Sequence, residues 1–207
     1  MTVLKDAFSA NALQIFNSAI TEYHIIDDVD QPYASPFPQG GIEEMLYRKC
    51  WIDTVQWHLE DIIRDPGIDP SDALSLKRRI DKSNQDRTDL VEQIDTYFLD
   101  KYKDVTPEKD ARLNTESPAW AIDRLSILRL KIYHMTDEAN REGITPEKRT
   151  KVRAKLSVLL EQNEDLSRAI DELLEDYATG HKVMKVYRQM KMYNDPSLNP
   201  VLYAKRK

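Results

Sequence analysis

Hydrophobic residues recur at alternating intervals of three and four along three long stretches of the chain. The stretches span residues 73–97, 121–139 and 152–177. This interval places an apolar stripe along one side of a helix and is typical of helices packed side by side. No stretch alternates apolar and polar residues with a period of two, so we predict no β-sheet. The predicted fold is all-α, a bundle of five or six helices with long, antiparallel, coiled-coil-like third, fourth and fifth helices.

Start and stop signals divide this pattern into separate helices. Asp69, Ser117 and Thr145 each precede a proline, which suits an N-cap followed by proline at the first helical position. Gly143 follows a periodic segment, where a helix-terminating glycine is expected. The predicted helices are 3–27, 42–64, 70–102, 118–141 and 146–179, with a sixth near 181–194 that either stands alone or continues the fifth. We expect one domain over residues 1–207, with a long loop at 28–41 and a C-terminal extension at 195–207.

Three polar residues interrupt the apolar stripes. Ser83, Arg87 and Asn163 stand where leucine or isoleucine would be expected. An unpaired buried guanidinium costs several kcal/mol, so we expect Arg87 to have a carboxylate partner. The candidates are Glu60, Asp61 and Asp123. The pair either fixes the register of the helices or forms part of a ligand site.

The stretch QWHLEDIIRDP, residues 56–66, raises the question of an active site. Most of it fits an ordinary amphipathic helix, with His58 at the margin of the apolar side and Glu60 and Arg64 four residues apart as a surface ion pair. Trp57 falls on the opposite side of this helix, which predicts a second contact there with another helix or with a second subunit.

Composition and charge exclude several classes of partner. The chain has 207 residues, a formal net charge of −6 and five glycines, and 32% of its residues are charged. The negative charge gives no reason to bind nucleic acid or an anionic membrane, and no apolar run is long enough for insertion into a membrane. The single Cys50 excludes an internal disulfide and a cysteine-based zinc site, so we expect a cytoplasmic location.

An enzyme hypothesis and a binding hypothesis both remain open. No phosphate-binding loop, dinucleotide fingerprint, HExxH or nucleophile elbow occurs. A metal-dependent hydrolase or transferase acting on a nucleotide or nucleotide-sugar would use Glu60, Asp61 and Asp123 as Mg²⁺ ligands and His58 as general base. Outside this enzyme hypothesis the sequence predicts no metal site and leaves the cofactor unknown. The binding hypothesis instead places a phosphorylated or sugar-bearing small molecule in a polar groove along the third helix.

Four segments resemble a bacterial family known as domain of unknown function 4254, found often in Bacteroidetes. They are WIDTVQWHLEDIIR, LKRRIDKSNQDRTDLVEQID, SPAWAIDRLSILRLKIYHM and YRQMKMYNDPSLNPVLY. The resemblance covers about residues 10 to 203. It implies no activity, but it suggests an accessory role in cell-surface glycan metabolism.

The family segments coincide with the positions that we expect to form a site. The catalytic candidates are His58, Glu60, Asp61 and Asp123, and the ligand-binding candidates are Arg64, Lys77, Arg78, Asp81, Asn84, Gln85, Arg87 and Arg124. The leading hypothesis is a binding or accessory protein, with the enzyme as the first alternative. A structural oligomerisation module is the second, and a homodimer is compatible with each of them.

Overall fold

The computed structural model describes residues 7–190, 192 and 195–204. Within these residues it contains six α-helices and no β-strand, which confirms the all-α prediction. The helices are α1 (Phe8–Ile26), α2 (Ile42–Ile62), α3 (Pro70–Lys101), α4 (Pro118–Asn140), α5 (Pro146–Thr179) and α6 (Pro200–Tyr203). The non-helical connection between α1 and α2 contains the long loop predicted at 28–41.

The predicted helix starts are confirmed at the level of individual hydrogen bonds. The side chains of Asp69, Ser117 and Thr145 each accept a hydrogen bond from a backbone N–H in the first turn, and a proline follows each of them. Ser117 also donates to the buried Asp95 at 2.9 Å. These contacts satisfy N–H groups that have no partner inside the helix, so the starts of α3, α4 and α5 follow from local sequence alone.

The predicted sixth helix at 181–194 is wrong for residues 181–190, which are not helical. Gly180 adopts a left-handed conformation with φ of 81° and ends α5. The chain then runs alongside the connection between α3 and α4, where Val183 donates to the carbonyl of Arg112 at 3.0 Å. Positions 3–6, 191, 193, 194 and 205–207 of the predicted segments lie outside the described residues.

Helix α4 lies at the centre of the molecule. It packs against α1, α2, α3 and α5, whereas the backbones of α3 and α5 do not pack against each other in the described part of the chain. Its buried side chains include Ile122, Leu125 and Leu130, and they belong to one large core shared with α1, α2, α3 and the second half of α5. The helices that surround α4 therefore bring distant polar residues together beside it.

None of the described helices combines the length and the apolar character needed to cross a bilayer.

Candidate functional site

Four charged side chains meet in the interior between α2, α3 and α4, and we call them the charge cluster: Lys49, Asp53, Arg87 and Asp123. Arg87 donates two hydrogen bonds to Asp123, both 2.7 Å long. Lys49 Nζ lies 2.9 Å from Asp123 and also bonds Asp53. The carboxylate partner expected for Arg87 is thus Asp123, one of its three sequence candidates.

Local spacing explains how each helix contributes to the charge cluster. Lys49 and Asp53 are four residues apart and share one side of α2. Ser126, three residues after Asp123 on α4, donates to Asp53 at 2.6 Å. Lys49, Asp53 and Asp123 are all buried, while the Arg87 side chain keeps 25% of its surface exposed. Two positive and two negative charges balance, which is the condition for burying them.

The pKa values of the two carboxylates in the charge cluster are shifted in opposite directions. Burial raises the pKa of Asp53, and the nearby negative charge of Asp123 raises it further against the opposing effect of Lys49. Burial would also raise the pKa of Asp123, but the Arg87 hydrogen bonds and the positive charges of Lys49 and Arg87 outweigh burial and lower it. Asp123 is therefore the more firmly ionised member.

A cavity of about 320 Å³ opens beside the charge cluster. It lies in the lower part of the size range typical of small-molecule sites. Its lining combines apolar side chains with acids, guanidinium groups and one amide: Asp53, Gln56, Trp57, Glu60, Asp61, Arg64, Arg87, Ile127 and Leu130. Gln56 is held in place because it donates to Asn84 at 2.9 Å and accepts from Ser83 at 3.2 Å.

A second group of polar side chains lies on α1, α2 and α4, and we call it the histidine cluster: His24, His58 and His134. One ring nitrogen from each lies within 4.8 Å of the others. The Nε2 atoms of His24 and His58 are 3.3 Å apart. Burial, followed by the charges of His24 and His58, lowers the pKa of His134 to about 4, so this ring is neutral at neutral pH.

The histidine cluster borders the cavity through Trp57. The Trp57 ring lines the cavity and stacks on His134, with ring centroids 4.7 Å apart and an angle of 9° between the planes. The contact predicted on this side of α2 is therefore made with a residue of α4.

The structure brings together only part of the predicted ligand-binding set. Arg64, Asn84 and Arg87 lie at the cavity or contact a residue that lines it. Lys77, Arg78 and Asp81 are exposed on the first half of α3, where Lys77 pairs with Asp81. Gln85 donates to Asp89 at 2.6 Å, and Arg124 pairs with Glu116 at 2.7 Å away from the cavity.

The acids predicted to bind Mg²⁺ do not converge. Asp123 accepts from Arg87 with both oxygens, and Glu60 pairs with Arg64 at 3.1 Å. In the part of the chain that the structure describes, the histidine cluster is the one group of three or more His, Cys, Asp or Glu residues close enough to share an ion. Of the catalytic candidates, only Glu60 and Asp61 line the cavity, and His58 belongs to the histidine cluster.

The predicted site residues did not include Lys49, Asp53, Gln56 and Ser126, in or beside the charge cluster, or His24 and His134 of the histidine cluster. The spacing of Lys49 and Asp53 was a usable signal. A lysine and an aspartate four residues apart on the buried side of a helix must pair, because burying either charge alone is costly. The histidines gave no local signal because each comes from a different helix.

Comparisons with known proteins give one family and no relative of known function. A family model described as protein of unknown function (DUF4254) matches residues 43–186, which include the charge cluster, the cavity lining and two of the three clustered histidines. The searches of curated proteins and of solved structures found no match.

Proposed function

Since the chain belongs to the family of proteins of unknown function DUF4254, whose description assigns no activity, we propose from its geometry that it is a binding protein for a small sugar-bearing molecule. The ligand occupies the cavity between α2, α3 and α4. The observation that carries the proposal is the mixed lining of this cavity, in which an indole and two aliphatic side chains stand beside five charged groups and an amide.

The charges in the cavity favour a sugar over a phosphate. Both guanidinium groups that line it already have acid partners, Arg87 with Asp123 and Arg64 with Glu60, and Asp61 adds a further negative charge. An isolated phosphate would meet these acids and be repelled. Sugar hydroxyls both donate and accept, so they suit carboxylates, guanidinium groups and Gln56 together, while the C–H faces of a sugar ring suit Trp57.

The charge cluster supports this proposal by holding Arg87 at the edge of the cavity. Lys49, Asp53 and Asp123 are buried and fix the guanidinium from behind. A binding group held by a preorganised network loses less conformational entropy when the ligand arrives. In this interpretation the cluster both fixes the register of three helices and orients one ligand-binding side chain.

The two alternatives have weaker support. An Mg²⁺-dependent hydrolase or transferase needs Glu60, Asp61 and Asp123 around one ion, and Asp123 is already occupied by Arg87 and Lys49. A purely structural oligomerisation module would use Trp57 and the exposed parts of the long helices as a subunit interface, and Trp57 stacks on His134 of its own chain. A homodimer stays a prediction. So do the cytoplasmic location, the bacterial origin and the accessory role in cell-surface glycan metabolism.

Two matched arginines test the proposal. Arg64 lines the cavity and pairs with Glu60, while Arg124 pairs with Glu116 away from it; their side chains are 65% and 61% exposed. We expect calorimetric titration to detect binding of methyl glucoside, which carries no phosphate. Arg64→Gln should weaken the binding by about threefold to tenfold, since a hydrogen bond to a charged group is lost, and Arg124→Gln should not.

Three results would contradict the proposal. The first is equal affinity in wild type and Arg64→Gln, and the second is equal weakening by both substitutions. The third is binding of inorganic phosphate with at least the affinity of methyl glucoside, which would assign the cavity to a phosphoryl group instead of a sugar.

A further inference from the structure

We propose that His24, His58 and His134 form a binding site for a transition-metal ion of the Zn²⁺ class. The site is separate from the sugar-binding proposal and does not depend on it. It uses three imidazoles from three different helices, and it differs from the carboxylate set considered for Mg²⁺ in both its residues and the metal that it suits.

The distance between the first two nitrogens fits a bound ion. The Nε2 atoms of His24 and His58 are 3.3 Å apart. Two nitrogens that each lie 2.0–2.1 Å from a tetrahedral Zn²⁺ are separated by about 3.3 Å. One ring nitrogen of His134 lies within 4.8 Å of those of His24 and His58, so a small movement of this ring on ion binding would complete a three-histidine set.

Hydrogen bonding fixes the tautomer of His24 and leaves one nitrogen of His134 without a partner among the described residues. His24 Nδ1 lies 2.6 Å from the carbonyl oxygen of Ile20, and because a carbonyl only accepts, Nδ1 carries the proton and Nε2 carries the lone pair. A backbone carbonyl that holds the second nitrogen is the usual support of a metal-bound histidine. His134 Nε2 is buried without a hydrogen-bond partner among the described residues. A cation would give that nitrogen the partner that the protein does not supply.

Aromatic rings hold two of these imidazoles in place. His58 stacks on Tyr23, with ring centroids 5.2 Å apart and an angle of 11° between the planes, and His134 stacks on Trp57. Packing restricts the orientations that these rings can take, which favours metal affinity. Helices α1, α2 and α4 also contact one another directly, so the three ligands stand on a rigid frame.

The three imidazoles and the neighbouring Asp27 also indicate which metal ions the cluster suits and how many ligands the protein supplies. Imidazole suits Zn²⁺, Cu²⁺, Ni²⁺ and Fe²⁺ and is a poor ligand for Mg²⁺. Three protein ligands leave a fourth position for water or a substrate, as in catalytic zinc sites. Asp27 Oδ1 lies 3.6 Å from His58 Nε2 on the exposed side, where its negative charge partly offsets that of the ion.

The test is metal titration of the full chain after chelator treatment. We expect calorimetry with Zn²⁺ to give one ion per chain, Mg²⁺ to give no heat, and Co²⁺ to produce the visible absorption typical of four-coordinate cobalt. His24→Gln and His134→Gln should each lower the Zn²⁺ affinity by at least about tenfold. His181→Gln is the matched control because His181 is the fourth histidine of the chain and lies outside the cluster, so this variant should bind as the wild type does.

Two results would overturn the site: no Zn²⁺ heat with the wild type, or a loss of affinity in His181→Gln equal to that in the cluster variants. Circular dichroism of each metal-free variant shows whether it is folded. If a cluster variant is unfolded, the wild type still decides the question. Its cobalt absorption should appear and then disappear when Zn²⁺ is added, and a spectrum without these bands would mean that the histidines form only a hydrogen-bonded packing contact.

Discussion

Arg87 is the one partly exposed member of the charge cluster, and its positive charge is needed to balance the two buried carboxylates. Replacing it with methionine leaves Asp53 and Asp123 facing one buried lysine, with a net negative charge. Breaking a buried ion network in this way typically costs 3–5 kcal/mol, and because the Arg87 side chain is 25% exposed, we expect the lower end. Arg87→Met should lower the free energy of unfolding in urea by about 3 kcal/mol.

Arg124→Met is the control for this substitution. It removes an exposed ion pair with Glu116, which should change the free energy of unfolding by no more than about 1 kcal/mol. A more stable Arg87→Met variant would contradict the expectation. It would mean that the burial cost of these charges exceeds their mutual attraction.

The opposite pKa shifts of Asp53 and Asp123 predict how stability depends on pH. The folded pKa of Asp123 lies below its ordinary value of 3.8, so its contribution is present above that value and is lost as pH falls through the folded pKa. The folded pKa of Asp53 is raised, so its contribution is present below 3.8 and is lost as pH rises through the folded pKa.

Urea denaturation between about pH 6 and pH 3 separates the two carboxylates. Asp123→Asn should reduce the loss of stability on acidification relative to wild type, since the group that resists protonation is gone. Asp53→Asn should increase that loss, since it removes the group that favours the folded state at low pH. Equal slopes in the three proteins would show that neither pKa is shifted on folding.

At the scale of helices, Gly180 ends α5 where no other residue fits. Its φ of 81° is left-handed, and a Cβ atom added there would lie 2.8 Å from the carbonyl oxygen of Thr106. Gly143 has a similar φ of 74° but open space around it. We expect Gly143→Ala to cost about 1–2 kcal/mol from backbone conformation alone and Gly180→Ala to cost clearly more, as measured by thermal unfolding. Equal costs would mean that the Thr106 segment moves aside freely.

Local sequence predicted the helices before Gly180 correctly, but it did not predict the structure of the segment that follows this glycine. Five helices followed from apolar spacing and from the Asp69, Ser117 and Thr145 caps, because these signals act within one or two turns. The sixth was misplaced because the segment after Gly180 is fixed by contacts with Arg112 and Glu92, which are 70 or more residues away in sequence. Local propensity contains no information about such partners.

For the whole molecule, the unequal packing of α4 and α5 predicts unequal dynamics. Residues 153–169 of α5 contain no fully buried side chain, whereas buried side chains recur along α4 from Pro118 to Ile132. We expect amide hydrogens in 153–169 to exchange roughly a hundredfold or more faster than those in 121–132, because few apolar contacts oppose local opening. Hydrogen exchange with mass spectrometry measures this ratio.

Equal protection of both segments would contradict that expectation. Protection of 153–169 that rises with protein concentration would indicate that a second copy covers this surface, which is how the predicted homodimer would become visible.

The site was harder to predict than the fold because it depends on the order of the helices around α4. The need of Arg87 for a carboxylate followed from its place in an apolar stripe, and Asp123 was among the candidates. Selecting Asp123 over Glu60 and Asp61 required knowing which side of α4 faces α3. Lys77, Arg78 and Asp81 belonged to the same charged segment as Arg87, yet they lie on its exposed side, since charge along a helix does not reveal which residues face inward.

Trp57 and His58 are consecutive residues of α2, one lining the cavity and the other belonging to the histidine cluster. A displacement of this turn of α2 therefore moves a side chain of the cavity and a side chain of the histidine cluster together. If an ion changes the affinity of the cavity for its ligand by some factor, the ligand must change the affinity for the ion by the same factor. Neither dissociation constant is then a fixed property of the chain, and each has a meaning only at a stated occupancy of the other.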